Sequence, residues 1–110
     1  MNALRNKVQL IGYVGQEPEI KILEGGKKLA KITLATNEVY YNENKEKITD
    51  TQWHNVTAWG KTAEIIENFV NKGKEIVIEG KLTYKNYEDK EGIKRYYTEI
   101  VANELLLISK

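Results

Sequence analysis

Cysteine is absent, which excludes disulfides and thiolate metal sites and fits a reducing compartment. Histidine occurs once, at His54, and no carboxylate pair or metal-ligand spacing stands out among the acidic residues. Proline also occurs once, at Pro18, and no low-complexity tract appears, so there is no sign of a linker or a second module. No apolar run is long enough for a membrane span or a secretion signal. The start Met1-Asn2-Ala3-Leu4-Arg5 is therefore read as an unprocessed cytosolic one. A net charge of +1, from 17 basic and 16 acidic residues, gives no bulk argument for nucleic acid. Any electrostatic case must rest on where the charges stand. The 110 residues suffice for one domain, spanning 1–110.

Catalysis finds little support. Gly60-Lys61-Thr62 has the end of a phosphate-binding loop but lacks the glycine five residues before Gly60. His54 shares its side of the chain with Val56 and Ala58, as a core or interface histidine would. We expect no cofactor, no metal and no enzymatic activity.

What is present is alternation. Asn6 to Val14 places Val8, Leu10 and Val14 on one side and Lys7, Gln9 and Tyr13 on the other, with a bulge or bend expected at Ile11-Gly12. After a loop around Pro18, Ile20 to Leu23 reads as a short strand, and Glu24-Gly25-Gly26-Lys27 as a hairpin turn. Lys28 to Tyr40 turns Ala30, Ile32 and Leu34 inward and Lys31, Thr33 and Asn37 outward. The polar stretch 41–50 reads as a flexible loop or a protruding hairpin.

From Thr62 the period changes: Ala63, Ile65, Ile66, Phe69 and Val70 are spaced as one helical face, with Glu64 in the first turn and Lys72-Gly73 as the stop. Alternation returns from Glu75 to Tyr87 and again from Ile93 to Ile108, around a turn at Asn86 to Gly92. The run Leu105-Leu106-Leu107-Ile108 is expected to be buried, in the core or under a partner. Strands, a single helix, then two strands are the order of an all-β five-stranded OB-fold barrel with the helix between its third and fourth strands.

The stretch from Trp53 to Lys61 carries both tryptophans of the protein. As a strand it puts Val56 and Ala58 on the core side, so Trp53, Asn55, Thr57 and Trp59 take the other. Burial by a second subunit would also account for two such rings. Tyr40, Trp53, Trp59 and Tyr87, interleaved with Lys7, Lys31, Lys61, Lys72, Lys81 and Lys85, would serve single-stranded nucleic acid. Bases stack on rings and phosphates need cations. Tyr84, Tyr96 and Tyr97 are expected in the core or at its rim.

Six segments together resemble the bacterial single-stranded DNA-binding proteins. They are Asn6-Lys7-Val8-Gln9-Leu10-Ile11-Gly12, Gly15-Gln16-Glu17-Pro18-Glu19, Ile32-Thr33-Leu34-Ala35-Thr36, Thr51-Gln52-Trp53-His54-Asn55-Val56, Gly60-Lys61 and Ile78-Glu79-Gly80-Lys81-Leu82. The resemblance implies a homotetramer wrapped by single-stranded DNA, acting in replication, recombination and repair in the bacterial cytoplasm at the nucleoid. It places base-stacking aromatics at Tyr40, Trp53, Trp59 and Tyr87, and subunit contacts at Lys7, Gln9 and His54. Asn55 stands where many members carry arginine.

Members of that family usually continue into a flexible segment with an acidic, phenylalanine-ended tip that recruits replication and repair proteins. This sequence ends at Ser109-Lys110, so such partners are expected only if the native protein carries that tail. The alternative reading is an OB-fold protein-interaction or primosome-type scaffold with weak nucleic-acid binding. RNA binding is a third option, weaker because nothing here selects a 2′-hydroxyl.

Overall fold

The structure, a computed structural model, describes residues 4–108; what was read at Met1 to Ala3 and at Ser109-Lys110 lies outside the described residues. Its strands are β1 (Val8–Val14), β2 (Glu19–Ile22), β3 (Lys28–Tyr41), β4 (Lys47–Trp59), β5 (Glu75–Glu88) and β6 (Lys94–Leu107), with one helix, α1 (Gly60–Phe69), between β4 and β5. Hydrogen bonding runs β1-β5-β6-β4-β3-β2, and β1 also pairs with β3. That last pairing closes β1, β3, β4, β6 and β5 into a five-stranded barrel, with β2 on the outer edge of β3. The all-β barrel read from the sequence is thus the fold, the short β2 being an extra edge strand before the helix.

Closure depends on two close backbone approaches. Of the bulge or bend expected at Ile11-Gly12, the bulge is absent, for β1 runs against β5 in unbroken register from Val8↔Gly80 to Tyr13↔Glu75. A Cβ on Gly12 would collide with the Ala35 carbonyl, so glycine there lets β1 cross from β5 to β3. The bulge lies instead between Glu79 and Gly80, where the pairing with β6 shifts by one residue. Gly80 presses on the Val101 carbonyl in the same way.

Inside sit Leu34, Ile66, Ile76, Ile78, Val14 and Val56, all fully buried. Helix α1 closes one end of the barrel with Ala63 and Ile66, followed by Val70. It begins at Gly60, two residues earlier than Thr62, so no acidic residue lies in its first turn. It also ends before Lys72-Gly73, because Val70 turns extended and is buried against the core. Lys28 bonds to Glu67 and ties β3 to the helix, which raises the Lys28 pKa above its ordinary value.

Two surface expectations change. Phe69 is exposed although it was placed on the helix's apolar face. The run Leu105-Leu106-Leu107-Ile108 keeps strand alternation, so Leu106 is exposed while its neighbours are half-buried. The stretch 41–50 is a protruding hairpin whose strands stay paired out to Tyr41↔Lys47. Asn42 caps its tip by accepting the amide N–H groups of Asn44 and Glu46.

Candidate nucleic-acid interface

The parity of β4 holds. Val56 and Ala58 are buried, whereas Trp53 is 63% and Trp59 41% exposed. Antiparallel register puts Leu29, Lys31, Thr33 and Ala35 of β3 directly opposite Trp59, Thr57, Asn55 and Trp53, so these eight share one outer face. Parallel pairing of β4 with β6 spans only Val56↔Ile100, Thr57↔Val101 and Ala58↔Ala102. Beyond it the β3–β4 and β5–β6 hairpins separate into two arms. A groove of about 290 Å³ opens there, lined by Lys31, Thr33, Asn55, Thr57, Tyr97 and Glu99. A smaller hollow continues it past Lys85 to Trp59.

The second arm supplies further rings. Tyr87 and Tyr97 stand with ring centroids 6.0 Å apart on the outer side of β5 and β6. Tyr97 therefore belongs to this face and not to the core. Its parity with Glu99 and Val101 was visible in the sequence, but which side of β6 faced inward was not. Tyr84 and Tyr96, also expected at the core or rim, are instead among the most exposed residues, at 78% and 74%. They lie on the arm's other side.

Tyr40 is not brought together with the tryptophans. It pairs with Ile48, on the face of the hairpin away from Trp53, while Tyr41 shares the tryptophan face.

The six lysines divide. Lys31 lies in the groove, and Lys61 lies beside Trp59 at the start of α1. Lys85 donates to Glu99 at 2.8 Å, and that hydrogen bond holds its pKa above the usual lysine range. Lys81 is exposed on the outer side of β5, opposite Val101. Lys72 sits in the turn after the helix, where its amide N–H donates to Glu17 at 3.2 Å. Lys7 pairs with Glu79 at 3.3 Å beside β1 and β5, across the barrel from β4. At the tip of the second arm, Asp89 is held below its ordinary pKa first by the Ile93 amide and then by Arg95.

Of the proposed subunit contacts, Gln9 is exposed opposite Glu79 on β1. His54 is half-buried at the root of the first arm, with Nε2 2.9 Å from the Thr36 hydroxyl.

Trp53 is seated by a glycine. A Cβ on Gly15 would strike the edge of the indole and come within 2.9 Å of the Thr33 hydroxyl. Gly15→Ala is therefore expected to lift the ring off its seat without unfolding the barrel. With Trp59 replaced by Phe, emission from Trp53 alone should shift to the red; an unchanged spectrum would show that the ring does not rest on Gly15.

Comparison with known proteins agrees with this layout. Residues 5–108 match the Single-strand binding protein family. A "Single-stranded DNA-binding protein 1" from Xylella fastidiosa (strain 9a5c) is 41% identical over 108 residues, 96% of this chain and 78% of that protein. The "Single-stranded DNA-binding protein" of Neisseria meningitidis serogroup B is 36% identical over 103 residues, 94% of this chain but only 59% of the relative. This chain thus spans less than two thirds of that relative's length. Among solved structures, the "Plasmodium falciparum SSB complex with ssDNA" has a TM-score of 0.87 at 33% identity, covering 99% of this chain and 100% of that one. A deletion mutant of the single-stranded DNA binding protein from Thermus aquaticus has a TM-score of 0.80 at 26% identity, covering 94% and 50%. With the closed barrel, the aromatic outer face and a match over nearly its whole length, this chain belongs to the single-strand binding protein family.

Proposed function

We propose that this chain binds single-stranded DNA along the outer face of β3, β4 and β6, by stacking bases on Trp53, Trp59, Tyr87 and Tyr97 and pairing phosphates with lysines around them. The observation that carries this reading is the exposure of both tryptophans on one strand, on the outer face of the sheet where the groove opens. Flat rings exposed without a cover are costly, and bases are flat covers. Duplex DNA keeps its bases stacked inside, so the face suits single strands. Of the cations, Lys31, Lys61, Lys81 and Lys85 surround the rings, while Lys7 and Lys72 lie outside that track. We infer a binding protein rather than an enzyme, serving replication, recombination and repair in the cytoplasm, with nucleoid association and any recruitment of repair proteins following from that role. Among the described residues no helix is long and apolar enough to cross a membrane.

Self-association is part of the proposal. Ile11 stands opposite Val77, and Val77 opposite Leu106, on the outer side of β1, β5 and β6. Ile11 and Leu106 are 57% and 65% exposed, beside Gln9, and a second copy of the chain would cover them. A homotetramer would need this face and a further one, for which His54 is the candidate.

The test is a fluorescence titration with oligo(dT) at several salt concentrations, with duplex DNA as competitor. Quenching of Trp53 and Trp59 that resists duplex is expected. A folded oligomer whose emission does not respond would mean that the aromatic face serves protein contacts, as in the scaffold reading. Lys81 forms no ion pair among the described residues and is free to meet a phosphate. Lys81→Ala should flatten the slope of log affinity against log salt by about 0.7, the change for one lost phosphate contact on a single strand. An unaltered slope would leave Lys81 as a solvated charge.

A further inference from the structure

The cations around the rings are not equally free. Among the described residues Glu99 is the one buried charged side chain, 6% exposed, on the outer side of β6. Its Oε1 accepts from the Lys85 ammonium at 2.8 Å, while the Lys85 side chain stays largely in solvent. Both residues line the hollow that leads to Trp59, together with Lys31 and Tyr97. The pair therefore stands at the junction of the arms, where a strand passing from Trp59 to Tyr97 crosses. Lys61 and Lys81 carry no such tie among the described residues.

A phosphate reaching the Lys85 ammonium meets one of two costs. Taking the lysine away leaves Glu99 as an unpaired buried carboxylate, which is strongly unfavourable. Sharing it sets the phosphate beside a second anion that, being packed in, cannot turn aside. Glu17 and Glu19 line the adjoining groove with Glu99 against a single lysine, Lys31, so no surplus of positive charge offsets either cost.

We propose that Glu99 withholds Lys85 from the DNA backbone and thereby sets the strength of binding. The strand crosses between the arms held by its stacked bases, with one phosphate contact fewer than the surface lysines suggest. That crossing is also the part of the bound strand least sensitive to salt, because stacking on Trp59 and Tyr97 releases no counterions. Glu99 touches no base in this arrangement. It acts through Lys85.

This inference rests on the proposed binding of single-stranded DNA, and the two fail differently. Affinity for oligo(dT) is measured against salt for the parent, Glu99→Gln, Lys85→Gln and the double variant, with a thermal melt for each. Glutamine at this position keeps the shape of the side chain but holds an ammonium less strongly than a carboxylate does. Glu99→Gln is therefore expected to steepen the slope of log affinity against log salt by about 0.7 and to tighten binding about fivefold at about 0.1 M salt, the effect of one added phosphate contact. Lys85→Gln, which can still donate to Glu99, should flatten the slope by about 0.7 in the Glu99→Gln background and by much less in the parent. Equal flattening in both backgrounds would show that Lys85 already meets a phosphate, and would overturn the proposal. A gain from Glu99→Gln that persists in the double variant would overturn it as well, leaving Glu99 as a bare negative charge beside the strand. Should Glu99→Gln lose its thermal transition, Lys85→Gln in the parent decides alone: a small change supports the tether, and a flattening of about 0.7 refutes it. If the parent binds oligo(dT) at no salt concentration, the function itself is overturned.

Discussion

Replacing both Trp53 and Trp59 by alanine should cost about 2–6 kcal/mol of affinity for single-stranded DNA, taking each stacked base at about 1–3 kcal/mol. The two rings stand six residues apart on one strand, about 20 Å at the rise of an extended chain, so each meets a different base and their losses add. Stability should hardly change. Both rings project from the outer face, and removing them opens no hole among the buried residues. The check pairs a filter-binding measurement, which needs no tryptophan signal, with a thermal melt. Unchanged affinity would dismiss the aromatic face as the binding surface. A lost thermal transition would show that the rings support the fold.

Ile78→Ala should do the reverse. Ile78 is fully buried on β5, paired with Leu10 of β1 on one side and Leu105 of β6 on the other. Deleting its side chain loses the transfer free energy and leaves a cavity that its strand neighbours cannot fill, an expected loss of about 2–5 kcal/mol. Denaturant unfolding at fixed protein concentration reads this directly, while DNA affinity of the folded fraction should match the parent's. A loss under about 1 kcal/mol would mean that the barrel relaxes around the site, contrary to close packing there. The two variants together separate the faces of the sheet, one for binding and one for stability.

The aromatic face was legible only where the chain lies on the barrel. There, alternation has an inside and an outside, so Val56 and Ala58 against Trp53 and Trp59 reveal both. The arms beyond the barrel have solvent on both sides, and alternation stops meaning burial. Tyr40 and Tyr41, or Tyr96 and Tyr97, differ there only by the register of the partner strand. That is why the sequence does not show Tyr97 on the same face as Tyr87, nor Tyr40 on the face away from Trp53.

Glycines show the same division. Gly25 and Gly26, with φ of 87° and 83°, were recognisable as a turn because their conformational need is local. Gly12, Gly15 and Gly80 answer to Ala35, Trp53 and Val101, which are distant in sequence.

The sequence by itself determined the strand and helix periods, the all-β barrel with its one helix, and the outward placement of both tryptophans, since each follows from the local alternation of apolar and polar residues. Only the tertiary structure decided which tyrosines join those tryptophans, which lysines are spent on Glu79 and Glu99, and that Glu99 and Thr57 line one groove. Those are contacts between segments far apart in the chain, and barrel closure alone brings them together.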